Sequence, residues 1–292
     1  MIKYVLCLWC LIVGVVAGAP LKVASLHPLL SDMARRVGGE HVEVVNLFPA
    51  NAELHTFAPG SADVAAAVGS SMVLACGKGV EPYLADLREA LGGRMPVLEL
   101  GAAVPDVMVP GSSVADPHWW NAPDNMKRAA GCLAEALAAA DPAHADAYAD
   151  GRMRYARAMD KLTRRAKLEL AGIPAERRVL VCAHAAMCHF CAAFRLEPIA
   201  VQGVAKESEG DMAHLAQLLA ELRARGVRCV YTELKDAPKF LENIARQIGA
   251  ELRPLVMDGV APDMQDYEAV FLFNLHSISA GLQPGAQPDA RP

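Results

Sequence analysis

The sequence predicts an α/β fold of two four-stranded parallel-sheet lobes with flanking helices, joined by a long rigid bridging helix. Three observations lead there. Short continuous apolar runs alternate with amphipathic ones in βαβα order, this rhythm stops at Ala122 and restarts at Arg178, and the stretch between carries a helical apolar stripe. At 292 residues the chain is long enough for two buried cores, and 53% hydrophobic against 21% charged residues excludes a disordered one.

In order, the chain opens with Lys3, an apolar run from Tyr4 to Ala17 and the small residues Gly18 and Ala19, which is the layout of an export signal over residues 1–19. The run ends at Pro20, short of the roughly 20 apolar residues that a membrane span requires. Leu6 and Trp9 precede Cys7 and Cys10 where a lipid-attachment site would carry a small residue, so a lipid anchor is not expected. Loss of Lys3 with the signal moves the formal net charge from -5 to -6.

An N-terminal α/β lobe is expected over 20–141, with strands at Leu21 to Leu26, Val42 to Phe48, Met72 to Cys76 and Val97 to Leu100. Helices are expected between them at Leu29 to Val37, Ala62 to Val68 and Pro82 to Leu91. Continuous apolar strands of this kind belong to parallel sheets covered on both faces. The bridging helix is assigned to 142–172. Asp141 is its expected cap with Pro142 in the first turn, and Tyr148, Tyr155, Met159, Leu162 and Ala166 form one stripe. From Pro142 to about Leu170 it would run about 43 Å, a rigid brace that predicts small lobe motions.

The C-terminal lobe, 173–282, repeats the pattern with strands at Val179 to Ala183, Pro198 to Val201, Arg228 to Thr232 and Glu251 to Met257. Its helices are expected at Ala186 to Phe194, Asp211 to Arg225, Pro238 to Ile248 and Tyr267 to Leu282. Residues 283–292, rich in Pro and Gly, read as a frayed tail.

Composition and motifs narrow the function. A slightly acidic chain with no block of consecutive Lys or Arg lacks the footprint of a nucleic-acid binder. There is no P-loop, no G-x-G-x-x-G after a strand, no G-x-S-x-G and no H-E-x-x-H. Beyond the signal, Cys76, Cys132, Cys182, Cys188, Cys191 and Cys229 show no regular disulfide spacing. Cys188 and Cys191 have C-x-x-C spacing, which leaves a bridge or a redox pair open beside the reading of small buried hydrophobes.

What remains is a set of metal-ligand types in the loops beyond the carboxyl ends of strands, where α/β sheets place their sites. His55 follows the second strand, His184 directly follows Val179 to Ala183, and Asp258 directly follows Met257. His118 precedes a helix start in Asp116-Pro117-His118-Trp119-Trp120. Singly, each imidazole reads as a structural residue. Together, three neutral imidazoles and one carboxylate suit tetrahedral Zn²⁺ in the cleft between the lobes, two ligands from each lobe. Four protein ligands leave no open position, which argues for holding a metal rather than for catalysis with it.

These segments resemble the zinc and manganese solute-binding proteins of ABC importers, over nearly the whole mature chain. Leu47-Phe48-Pro49 with Glu53-Leu54-His55-Thr56-Phe57-Ala58-Pro59 is similar to that family's first ligand loop, and Asp116 to Pro123 to its second. Cys182-Ala183-His184-Ala185-Ala186 resembles the third and Met257-Asp258-Gly259-Val260 the fourth. The resemblance carries the ligand role onto His55, His118, His184 and Asp258. It also implies the two-lobe fold with its bridging helix, export to a periplasmic or extracytoplasmic location, and delivery of a divalent metal to an integral-membrane permease with its cytoplasmic ATPase. No catalysis is implied, and a monomer is expected.

Some residues depart from the family pattern. Ala58 replaces the acidic residue usual before Pro59, and Cys76 stands where Asn-Gly is common. The loop Gly101 to Ala115 is short and without His, whereas many zinc-specific relatives carry a His-rich insertion there.

Metal choice turns on the third ligand. His184 supplies a third nitrogen and favours zinc over manganese, which prefers harder oxygen donors and higher coordination. Glu233, at a strand end, is a candidate acceptor for fixing the tautomer of a ligand His. His189 is five residues after His184, about 140° round a helix, and cannot share its ion. His27 reads as a cleft-wall residue, His276 as structural, and His41, His144 and His214 as surface positions. Rival readings are a zinc hydrolase using Asp258 as base, a binder of a larger chelate, and an adhesin with a structural metal. Aromatic content of 5% speaks against the chelate binder.

Overall fold

Val23, Ala24, Leu74, Val181 and Val230 are fully buried because each lies in a central strand with helices on both faces of its sheet. The computed structural model describes residues 19–49, 52–93, 95–201, 212–234, 238–259, 261, 263–264 and 266–283. The expected signal (except Ala19), the tail beyond 283 and the side chain of His214 lie outside the described residues.

The first sheet contains β1 (Leu21–Ser25), β2 (Val42–Asn46), β3 (Met72–Ala75) and β4 (Val97–Glu99), in the order β2-β1-β3-β4. The second contains β5 (Val179–Cys182), β6 (Glu197–Ala200), β7 (Cys229–Glu233) and β8 (Glu251–Leu255), in the order β6-β5-β7-β8. All pairings are parallel, with Val23 opposite Val44 and Met72, and Val181 opposite Ile199 and Val230. The two orders are equivalent, so each sheet reverses its winding at its first strand, and ligands of open parallel sheets bind beyond such points.

The helices are α1 (Pro28–Gly38), α2 (Ser61–Ala67), α3 (Leu84–Ala90), α4 (Pro123–Ala140), α5 (Ala145–Leu170), α6 (Cys188–Phe194), α7 (Met212–Ala224), α8 (Lys239–Ile248) and α9 (Tyr267–Leu282). Pro28 opens α1 at a position whose N–H has no intrahelical partner. Helix α6 starts at Cys188, later than its pattern suggests, because a tight turn from Ala186 N–H to the His184 carbonyl (3.0 Å) occupies the chain after β5.

The bridging helix α5 has 26 residues and spans about 39 Å. Pro142–His144 form a separate 3-10 turn ahead of it. Asp141 does not cap through its side chain, because that carboxylate accepts from Tyr148 Oη at 2.6 Å and His144 Nδ1 at 2.7 Å. The expected stripe, Tyr148 to Ala166, is buried throughout. Gly151 sits where α5 crosses α1, against the Val37 carbonyl, and a Cβ there would collide with it.

One apolar core runs through both lobes. It joins Leu29, Met33 and Trp120 of the first, Tyr155, Met159 and Leu162 of α5, and Phe190, Tyr267 and Phe271 of the second. Smaller clusters lie on the far side of each sheet, around Leu222 and Val230 and around Ala24 and Val73. A shared close-packed core resists hinging, since opening it would expose large apolar side chains. The six thiols beyond the signal are free, and burial pushes Cys188 up to about 12 and Cys191 well above the usual range, which makes them inert packing groups. No described helix is long and apolar enough to cross a membrane.

Candidate metal centre

Each of the four sequence-selected residues sits in a loop that its own neighbours anchor. His55 lies in the loop after β2, where Leu54 is buried and Phe57 packs edge-on against Phe48 with ring centroids 5.0 Å apart. Thr56 and Phe57 N–H close a turn on the Glu53 carbonyl. His118 stands at the start of the 3-10 turn Trp119–Asn121, whose two indoles are buried. His184 follows β5 after Ala183, and Asp258 follows β8 after Val256 and Met257.

The four side chains converge, with one donor atom from each lying within 4.8 Å of every other. His118 Nε2 is 3.1 Å from His55 Nε2, and Asp258 Oδ1 is 3.3 Å from His184 Nε2, 3.6 Å from His118 Nε2 and 3.7 Å from His55 Nε2. Four donors at zinc's bond length of about 2.0–2.1 Å stand about 3.3 Å apart in a tetrahedron. The separations bracket that edge. His118, His184 and Asp258 side chains are almost fully buried, whereas His55 is 24% exposed and forms the solvent side of the cluster.

Electrostatics suit a cation. Burial alone would raise the Asp258 carboxyl, yet the hydrogen bond from His184 and the neighbouring His55 imidazole hold it well below the usual carboxylate range. Burial lowers His184 despite the pull of Asp258, so its imidazole is neutral at neutral pH. The cluster therefore presents one negative charge and neutral imidazole nitrogen.

Several residues that hold this geometry were not singled out by sequence reasoning. Asp116 Oδ1 accepts from His118 Nδ1 at 2.7 Å and from His118 N–H at 2.8 Å, which leaves His118 Nε2 as a lone pair directed at the other donors. Its Oδ2 accepts from Cys188 N–H at 2.8 Å, and its carbonyl accepts from His189 Nε2 at 3.0 Å. Burial would raise Asp116, but the bonds from His118 hold it below its ordinary value. The signal was present: a carboxylate two residues from a ligand imidazole is a natural orienting partner. His189 lies on α6 outside the donor cluster, as its spacing requires, with Nδ1 accepting from Asn125 Nδ2.

The Asp258 loop is held in the opposite sense, by the first lobe. His27 Nδ1 accepts from Leu29 N–H, so its Nε2–H donates to the Asp258 carbonyl at 3.0 Å. Trp120 Nε1 and Asn121 Nδ2 donate to the Met257 carbonyl at 3.1 and 2.9 Å. His27 is thus more than wall. Glu233 Oε2 accepts from Met257 N–H at 3.0 Å, which places its effect on the backbone that carries Asp258. Gly259 has φ +70, and a Cβ there would stand 2.7 Å from Leu29 Cδ1 and 2.9 Å from His27 Cε1, so this loop reaches the first lobe only with glycine. His41 and His144 stack at 4.0 Å, partly exposed, and His276 is exposed on α9.

The sequence profile of the family described as zinc-uptake complex component A, periplasmic, matches residues 23–281. The chain is 23% identical to the manganese-binding lipoprotein MntA of Bacillus subtilis over 282 residues, covering 92% of each. It is 24% identical to the zinc-binding protein TroA of Treponema pallidum over 277 residues, covering 91% of this chain and 89% of TroA. Among solved structures, a zinc-bound ZnuA deletion mutant superposes with a TM-score of 0.81 at 25% identity, covering 92% of this chain and all of that one.

Proposed function

Since the chain belongs to the zinc-uptake component A family of metal-binding substrate-binding proteins for ABC importers, and is not an enzyme, we propose that its cargo is Zn²⁺ and that His55, His118, His184 and Asp258 are the ligands. The observation that carries this reading is the donor set itself: three imidazole nitrogens and one carboxylate oxygen all within 4.8 Å of one another, with Asp258 Oδ1 at 3.3–3.7 Å from each imidazole and His118 oriented by Asp116. These separations suit tetrahedral zinc, and a set that holds a single carboxylate among the described residues disfavours manganese.

The proposed cycle is capture and release. An exported chain takes Zn²⁺ at the His55 side, the most exposed edge of the cluster, and hands it to a membrane permease with its ATPase. Because the inner faces of both lobes share one core, release proceeds with small rearrangements of the ligand loops. Relatives bearing names for zinc and for manganese make the manganese reading the second one.

The test is elemental analysis of the purified chain, followed by competitive Zn²⁺ and Mn²⁺ titrations of wild type and His184→Ala. One tightly held zinc per chain, displaced by manganese only at large excess and greatly weakened in the variant, is expected. Preference for manganese would overturn the choice of ion, and unchanged affinity in His184→Ala would overturn the ligand set.

A further inference from the structure

The solvent face of the bridging helix carries a charge pattern that metal capture does not use. Between Gly151 and Leu168 there are seven Lys and Arg residues and one carboxylate, in a chain whose formal net charge is -5. The one carboxylate, Asp160, is occupied by Lys127 at 2.6 Å. Arg154, Arg157, Lys161 and Arg164 follow one another at spacings of three, four and three, and Leu168 continues the row after four more. This row lies two positions on from the buried residues Tyr155, Met159, Leu162 and Ala166, about 200° round the helix, and so points directly away from the core.

All four cations are exposed, and among the described residues none of them forms an ion pair or hydrogen bond. Leu168 is 79% exposed and Met153, beside the other end of the row, 51%. Helix electrostatics do not account for the arrangement. A C-terminal dipole favours cations only in the last turn, whereas Arg154 and Arg157 lie mid-helix. Like charges at i,i+3 and i,i+4, as in Arg154 with Arg157 and Arg157 with Lys161, destabilise a helix. The pattern is therefore a cost to the isolated fold.

We propose that this face of α5 docks on an anionic phospholipid surface. The cationic row is straight and about 21 Å long from Arg154 to Leu168, so all four charges reach one plane together. A bilayer interface offers negative headgroups to the row and an apolar layer just beneath them for Leu168 and Met153. A bilayer is also the surface that cargo delivery puts within reach of this chain. Helix α5 packs along elements of both lobes, so such docking holds the whole molecule without engaging a donor residue.

The experiment is co-sedimentation of the full chain with vesicles of phosphatidylglycerol and phosphatidylcholine, and with pure phosphatidylcholine, at low salt and at about 1 M. The comparison variant is Arg154→Gln/Arg157→Gln/Lys161→Gln/Arg164→Gln, whose exposed substitutions keep helix propensity. Wild type is expected to bind the anionic vesicles at low salt only, and the variant to partition about three orders of magnitude less. No anionic-vesicle binding by wild type, or equal binding by the variant, would overturn the proposal. Binding to polyglutamate without binding to vesicles would overturn it in favour of an acidic protein partner. Zinc titration of both chains is read separately: equal affinities are expected, and failure of both to bind zinc would overturn the cargo reading while leaving the vesicle result intact.

Discussion

His27 Nε2 lies 3.0 Å from the carbonyl oxygen of Asp258, a hydrogen bond between residues 231 positions apart that ties the first lobe to the ligand loop of the second. It has a counterpart in the other direction, where Cys188 N–H and His189 Nε2 hold Asp116, the orienting partner of His118. Each lobe thus fixes a donor residue belonging to the other. The donor geometry is a property of the docked lobes, and neither half contains it alone.

His27→Ala removes both ends of this link: the Asp258 carbonyl and Leu29 N–H each lose a partner. A buried group left unpaired costs about 1–3 kcal/mol and a lost N-cap about 0.5–2 kcal/mol. A lower melting temperature and about tenfold weaker zinc binding are expected, measured by calorimetry and by competition with a chelating dye. Wild-type zinc affinity in this variant would show that the bond does not position Asp258.

Asp116→Asn keeps the shape of the orienting partner but exchanges its charge for an amide. Loss of a carboxylate behind a metal-ligating imidazole typically costs 10–100-fold in affinity. His118 Nδ1 would meet a weaker acceptor, and Cys188 N–H would face either the amide oxygen or its NH₂. The expected readout is a zinc off-rate raised by about that factor in stopped-flow chelation, with the fold retained by circular dichroism.

Gly259→Ala combines two penalties. The residue sits at φ +70, and its new Cβ would stand within 3.1 Å of Leu29, His27 and Trp120 atoms. Left-handed strain alone costs about 1–3 kcal/mol. We expect the loop to withdraw and carry Asp258 with it, so zinc affinity falls more than thermal stability does. Equal affinity with unchanged stability would mean that the close approach is not required.

Acid sensitivity follows from buried imidazoles. Burial lowers His27 from 6.5 to about 4 and lowers His184 as well. Below 6.5 the unfolded chain takes up protons that the folded chain refuses. The contribution of these groups to stability is therefore fully present above pH 6.5 and is lost as pH falls toward their depressed folded values. For His27 the loss approaches about 3 kcal/mol near pH 4. Melting temperature of the metal-free chain is expected to fall through this window, and less steeply in His27→Gln. Zinc occupancy should fall over the same range, since a protonated imidazole cannot ligate.

The alternation of strands and helices and the four converging residues were legible locally, for one physical reason. A strand buried on both faces must be a short apolar run, and the first polar residue beyond its carboxyl end is where a parallel sheet presents chemistry. His184, directly after Val179 to Cys182 and Ala183, is the clearest case. Boundaries were less legible, because they depend on where side chains find partners. Asp141 was expected to cap a helix, but Tyr148 and His144 claim its carboxylate, and only their folded positions decide that.

The sequence by itself therefore determined the alternation of elements, the bridging stripe and the four residues that meet in the cleft. Tertiary structure alone decided that His27 and Asn121 grip the loop bearing Asp258, and that a side chain at position 259 would crowd Leu29 and His27. Those bonds join segments more than a hundred residues apart, across an interface that exists only once both sheets and α5 have packed into one core. Periodicity records which face of an element is buried; it does not record what that face will meet.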